Sequence, residues 1–276
     1  MLTDECWDEI ARAIAGRQSD AVVSSGQELG LAVAMVPISS SGQVDLQLEH
    51  RGTVDPTRPF LADAIGGTVG ARSLAGLRVI DLSSLWAGPL CSRLLAEAGA
   101  DVIKVESTTR PDGTRLGDPE LFQRLHAGKR FAQVPFGAGQ SGAALRELLA
   151  TADVIIEGSR PRALERLGID PADVLAAKPG KVWLSITAYG RTGPWRNRVG
   201  FGDDTAAAAG LLVDLDVDAP RFVGDAIADP LTGVLAAALV ADAVADGGGM
   251  LIDLALREVA RSAALRAAVQ WCEVSR

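Results

Sequence analysis

Read along the chain, apolar and polar positions change pattern near residue 74. Before it, Trp7, Ile10, Ala11 and Ile14 recur at helical spacing. Gly16 offers a stop, and Leu31 to Val36 is a short apolar run read as extended. Residues 39–73 are rich in Ser, Gly, Thr, Asp and Pro, the composition of a long linker. After Leu74, short apolar runs alternate with amphipathic ones. RVIDL (78–82), DVIKVE (101–106), DVIIEG (153–158), KVWLSI (181–186) and GMLIDLAL (249–256) read as buried strands. GPLCSRLLAEAG (88–99), ALRELLATA (144–152), ALERLG (163–168) and a segment from Pro171 read as helices. Strands and helices alternating at these lengths predict parallel β-α-β units with right-handed crossovers, helices on both sheet faces and ligands at the carboxyl ends of the strands. The expected fold is therefore α/β: a parallel sheet with flanking helices (74–276), a small N-terminal α+β segment (1–38) and a linker (39–73).

Composition narrows the chemistry. The chain has 276 residues with a formal net charge of −8, and 22% of its residues are charged. An acidic total disfavours nucleic acid and anionic membrane surfaces as partners. Three scattered cysteines, Cys6, Cys91 and Cys272, form neither a CxxC pair nor a disulfide framework. The two histidines, His50 and His126, give little material for metal binding or imidazole catalysis, so no metal site is expected. The first residues lack the pattern of a signal peptide and no apolar run reaches bilayer length, with Gly233 to Val244 coming nearest; a cytoplasmic location is the expectation.

The first strand-to-helix turn, DLSSLWAGPL (81–90), has neither G-x-G-x-x-G nor a phosphate loop ending in Gly-Lys, which argues against a nicotinamide or flavin site. Gly88-Pro89 fits a helix start with proline at the first position, and the turn reads equally as a packing device. Lys104, Arg110 and Arg115 follow or end the second strand and could face phosphate, or simply be solvated. Gly128-Lys129-Arg130 is a similar basic cluster. The loop AYGRTGPWRNRVGFGDD (188–204) carries glycine at four positions, Tyr189, Trp195 and three arginines, a composition suited to closing over a ligand. Asp229-Pro230 opens an alanine-rich run: Asp at the N-cap and Pro behind it. A carboxylate there is a cap, or a nucleophile toward an activated acyl group. As a cap it would have a lowered pKa. Asp225, four residues earlier, has no role in either reading.

Four blocks in order, LAGLRVIDLSSLWAGPLCSRLLAEAGADVIKVES (74–107), ADVIIEGSRPRALERLGID (152–170), SITAYGRTGPWRNRVGFGDD (185–204) and ADPLTGVLAAAL (228–239), resemble the class III coenzyme A transferases of the CaiB/BaiF type. That family includes formyl-CoA transferase, carnitine CoA-transferase and alpha-methylacyl-CoA racemase. The resemblance implies a Rossmann-like domain that takes coenzyme A or acyl-CoA as a substrate, with no permanently bound cofactor, and a carboxylic acid as the second substrate. It assigns the nucleophile to Asp229, by its spacing to Gly233, and implies a mixed anhydride followed by an aspartyl-CoA thioester. It sets coenzyme A against Trp86, Ala87 and Gly88, against Lys104, Glu106 and Arg110, against Lys129 and Arg130, against Arg160, and against Ala188, Tyr189 and Gly190. The position of the racemase branch's histidine is Asp203, which favours transfer over epimerisation. Ser159 replaces an aromatic of the family pattern, and His126-Ala127 replaces its Asn-Arg pair. The N-terminal segment resembles the family's small domain faintly, in permuted order. A homodimer, or a pairing with a second related chain, is implied. A catalytically reduced CoA-binding partner subunit and a 2-methylacyl-CoA epimerase are the alternatives.

Overall fold

A computed structural model describes residues 4–37, 55–135, 141–213 and 220–274. The elements run α1 (Asp4–Ile14), α2 (Ser19–Glu28), β1 (Phe60–Ala64), β2 (Arg78–Asp81), α3 (Ala87–Glu97), β3 (Asp101–Ser107), α4 (Thr114–Gly117), α5 (Pro119–His126) and β4 (Arg130–Val134). They continue with α6 (Ser141–Thr151), β5 (Val154–Glu157), α7 (Pro161–Glu165), α8 (Pro171–Ala176), β6 (Val182–Thr187), α9 (Gly202–Ala208), β7 (Leu212–Val213), β8 (Arg221–Phe222), α10 (Ala228–Ala245), β9 (Met250–Ala255) and α11 (Leu256–Val274).

The main sheet has the order β1-β9-β6-β5-β2-β3-β4. From β9 to β4 all pairs are parallel; β1 alone runs antiparallel, against β9. β2, β3 and β4 are wound one way and β5, β6 and β9 the other, so the winding reverses between β2 and β5. That reversal opens a crevice at the carboxyl ends of the strands, where such sheets hold ligands.

The strands are near-continuous apolar runs because both faces are covered. Along them, alternate side chains divide between two cores. Val79, Val154, Ile156, Leu184 and Ile252 pack with Cys91, Leu95, Ala236 and Val240 on the α3 and α10 side. Ile80, Ile103, Ile155 and Trp183 pack with Leu145, Leu149 and Leu175 of α6 and α8 on the other.

Three sequence expectations change. Within the 39–73 linker, residues 60–64 form β1 on the edge of the sheet, and the chain beyond stays fastened: Gly66 N–H donates to the Gly249 carbonyl at 2.9 Å and Val69 N–H to Gly247 at 2.9 Å. Edge pairing with a distant strand leaves no local signal in a Gly/Ser-rich stretch. Residues 38–54, with His50, lie outside the described residues. The N-terminal segment holds a second helix, α2, and no strand at 31–36. Gln27 of α2 ties that segment to the loop after β6, donating to the Val199 carbonyl at 2.8 Å and accepting from Val199 N–H at 2.7 Å. Finally, α10 spans 18 residues and by length and composition could cross a membrane. The helix extends past the Gly233–Val244 run at its amino end, and the structure lays it against α3 and the sheet, with Ala236 and Val240 wholly buried.

Candidate active site

α10 begins at Ala228, with Ile227 in the N-cap position, so Asp229 is the second residue of the helix and not its cap. Pro230 is third, where the missing N–H still costs no helical bond. The Asp229 N–H is used by the carbonyl of Ala226 at 2.8 Å. Its carboxylate points away from its own helix. Oδ1 accepts from the N–H of Ala87, at the head of α3, at 3.4 Å, and Gly202, at the head of α9, supplies a second backbone donor. Ala87 follows β2 and Gly202 follows β6, so Asp229 sits over the carboxyl ends of the strands, where the crevice opens.

Two glycines make this convergence possible. A Cβ on Gly202 would lie 2.3 Å from Asp229 Oδ2 and 2.4 Å from the Ala226 carbonyl. A Cβ on Gly233 would lie 2.7 Å from the Ala87 carbonyl and 2.9 Å from Leu90 Cβ. The aspartate-to-glycine spacing thus has a physical reason: one helical turn past Asp229, α10 must press against α3, and only glycine allows the backbones to approach that closely.

The electrostatics reverse the expectation for a cap. Burial raises the Asp229 pKa from 3.8 to about 6, opposed by the Ala87 and Gly202 amides and reinforced by Asp203 and Asp204. The lowered value expected from capping does not hold, because the desolvating walls come from segments remote in sequence. Asp204 is likewise raised to about 6, chiefly by burial; it accepts from Phe201 N–H at 2.6 Å and from the Tyr189 hydroxyl at 3.3 Å. Asp203 accepts from Ala226 N–H at 2.8 Å. That bond holds Ala226, at φ +44, in the turn that delivers Asp229. Asp225 is exposed and stands outside this cluster.

The other predicted residues fall into three groups. Trp86, Ala87 and Gly88 line the turn that faces Asp229, and Ala188, Tyr189 and Gly190 form the buried stretch just after β6. Tyr189 packs edge-on to Trp195, with the Arg198 guanidinium 4.1 Å over that indole. Arg160, at the head of α7, has its pKa lowered by burial and then by Arg162, Arg110 and Arg166. Guanidinium groups from the loops after β3 and β5 thus crowd together, and an anion would relieve their repulsion.

Lys104, Glu106 and Lys129, by contrast, are buried and bonded within the chain. Lys104 donates to the Ser83 carbonyl and lies 3.4 Å from Asp112; Glu106 pairs with Arg115 at 2.6 Å. Lys129 Nζ reaches the Pro89 carbonyl at 2.9 Å, Ser92 Oγ at 2.7 Å and Asp81 at 3.3 Å. These charges brace the loop from beneath. Arg130 lies farther off, at the amino end of β4, paired with Asp101 at the amino end of β3 at 2.5 Å. It is at the amino ends of the strands, the end opposite Asp229. Sequence reading missed the buried pair of Glu157 with Arg191, 2.8 Å apart, which joins the ends of β5 and β6; an acid ending one strand and a basic residue in the next strand's loop was the only available cue.

The fold and the site define a doubly wound α/β domain that presents a desolvated carboxylate to backbone amides at the mouth of the sheet. Residues 74–274 match the model of CoA-transferase family III, and the chain belongs to that family. It is 33% identical over 206 residues to a succinate–glutarate CoA-transferase of Agrobacterium fabrum, covering 67% of this chain and 51% of that protein. It is 32% identical over 221 residues to an acyl-CoA transferase of Fusarium pseudograminearum, covering 72% and 48%. The crystal structure of a CaiB/BaiF family protein from Brucella suis superposes with a TM-score of 0.61 at 30% identity, covering 75% of this chain and 59% of that one. The chain spans about half the length of the curated relatives it matches.

Proposed function

We propose that this chain carries the nucleophile of a class III CoA-transferase, with Asp229 as the attacking carboxylate. The observation that supports this is a half-buried carboxylate whose pKa sits near 6 and whose oxygens face the Ala87 and Gly202 amides. At neutral pH such a group is mostly ionised, yet more basic than a solvated aspartate, and both properties favour attack on a thioester. Attack on the thioester carbonyl carbon gives a tetrahedral intermediate that expels the coenzyme A thiolate and leaves an aspartyl–acyl anhydride. The thiolate returns to the aspartyl carbonyl carbon, releasing the first acid as its carboxylate. An acceptor carboxylate displaces the thiolate from the aspartyl thioester, and the thiolate then takes the acceptor acyl group and restores Asp229. When the aspartyl carbonyl is itself attacked, charge develops on an oxygen held by Asp229, beside the two backbone donors, where fixed dipoles stabilise it without reorganisation. The Arg110, Arg160 and Arg162 cluster is the candidate for the coenzyme A phosphates.

Hydroxylamine trapping during turnover, followed by peptide mass mapping, tests the reading. Modification at Asp229, and loss of transfer with retained CoA binding in Asp229→Ala, are the expected results; turnover by that variant refutes it. A second reading is favoured by the kinds of protein that this chain resembles. Similar proteins include the beta subunit of a succinyl-CoA–L-malate CoA-transferase from Chloroflexus aurantiacus, 34% identical over 206 residues. In this reading the chain works with another chain that supplies the rest of the site, and transfer is seen only when both are mixed.

A further inference from the structure

Beneath the turn from β2 to α3 lies a buried charged network that the proposed chemistry leaves without a task. Asp81, Lys104 and Asp112 are almost wholly shielded from solvent. Asp81 accepts from Ser83 N–H at 2.9 Å and from its hydroxyl at 2.5 Å, while Lys104 donates to the Ser83 carbonyl. Asp112 accepts from Leu85 N–H through both oxygens, at 3.1 and 3.3 Å. It is itself held: its N–H donates to Glu106 at 3.0 Å, its carboxylate takes the Thr114 hydroxyl at 2.8 Å, and Lys104 stands 3.4 Å away. Leu85 has φ +72, in the left-handed region that an L side chain enters only when its surroundings insist. Its half-exposed side chain gives no packing reason for that conformation. Two residues further on, the Ala87 N–H faces Asp229.

We propose that Asp112 is a positioning residue for Asp229: by gripping the Leu85 amide it keeps residues 83–87 in the left-handed turn that aims the Ala87 N–H at the Asp229 carboxylate. The catalytic consequence rests on the nucleophile reading; the geometric claim does not. The groups that face Asp229 are the Ala87 and Gly202 amides and the Asp203 and Asp204 carboxylates. Turning one amide away therefore disfavours the ionised form.

The test is to follow the Asp229 carboxyl by carbon-13 NMR across pH, assigned by difference against Asp229→Asn, in Asp112→Asn and in Leu85→Pro. Proline forbids positive φ and removes the amide that Asp112 holds, but leaves the buried Asp112–Lys104 pair intact; it decides the matter if Asp112→Asn does not fold. Both variants are expected to raise the Asp229 midpoint by roughly half a pH unit or more. They should lower kcat roughly tenfold or more, beyond any change in KM. Leu85→Gly placed in the Asp112→Asn background should bring both quantities back toward wild type, because glycine adopts the turn unaided. An unmoved midpoint in the folded variants, or no recovery with glycine, overturns the proposal. Turnover by Asp229→Ala would instead sink the nucleophile assignment, and the midpoint measurement would still stand.

Discussion

Replacing Asp229 by asparagine should make the protein more stable at neutral pH, not less. Its carboxyl titrates near 6 in the folded chain against 3.8 in the reference state, with burial as the main cause. Below pH 4 both folded and unfolded forms hold the proton, and nothing is lost. Between pH 4 and 6 the unfolded chain gives up its proton first, so the folded state binds more protons and stability falls as pH rises. The gap, at about 1.4 kcal/mol per pH unit, amounts to about 3 kcal/mol above pH 6. Partial solvent access reduces this to about 2 kcal/mol. Asparagine keeps an acceptor for the Ala87 and Gly202 amides and abolishes the penalty. Urea unfolding at pH 4, 6 and 8 should show the two proteins converging at pH 4 and the variant leading at pH 8, with Tm higher by roughly 4–8 °C there. An Asp229→Asn protein less stable than wild type at pH 8 would refute the reasoning, because it would mean that the carboxylate is a net stabiliser of its helix, as an ordinary cap is. Asp204 titrates in the same window, so the difference between the two proteins, and not either curve alone, carries the result.

Further outcomes follow from the same geometry. Asp203→Asn, which keeps an acceptor for Ala226 N–H but removes a like charge, should move the midpoint of the acylation rate against pH to a lower value, read by single-turnover kinetics. Gly233→Ala should cost roughly 1–3 kcal/mol in chemical denaturation, because the added methyl meets the Ala87 carbonyl. Thr232→Val should raise the unfolding free energy by about 1 kcal/mol, since the Thr232 hydroxyl is buried on α10 with no hydrogen-bond partner among the described residues. Arg191→Met, which removes the cation facing the buried Glu157 carboxylate, should destabilise the fold by roughly 3–5 kcal/mol at neutral pH, and less in acid, where the carboxyl takes a proton.

Much of this was legible in the chain, for identifiable reasons. β2, β5, β6 and β9 are largely buried on both faces, so each leaves a near-continuous apolar run. β4 is an edge strand, RFAQV, with most positions exposed, and its pattern names only an extended stretch. α9 hides inside a glycine-rich loop because its first turn is fixed by Asp204 and by contact with α10, not by propensity. Asp229 could be picked out, but its state could not: one donor on its carboxylate, Ala87, lies 142 residues away in sequence. Lys104 and Lys129 misled in the opposite sense. A lysine near a strand end reads as a ligand for phosphate, and only the packed structure reveals that Asp81, Asp112 and the Ser83 and Pro89 carbonyls have already claimed them.

The antiparallel edge strand has a consequence for how the molecule assembles. Phe60 lies opposite Leu254, so the first and last strands of the sheet are hydrogen-bonded neighbours. Every other strand pair closes over a shorter stretch of chain. The β1–β9 seam recovers nothing for its loop-closure entropy until β9 has docked on β6, which makes it the last zip to close in folding. By the same token it is the first to fray, and its amides should mark the least protected margin of the sheet in hydrogen exchange. While the seam is open, β9 shows a bare apolar edge able to recruit a strand from another molecule.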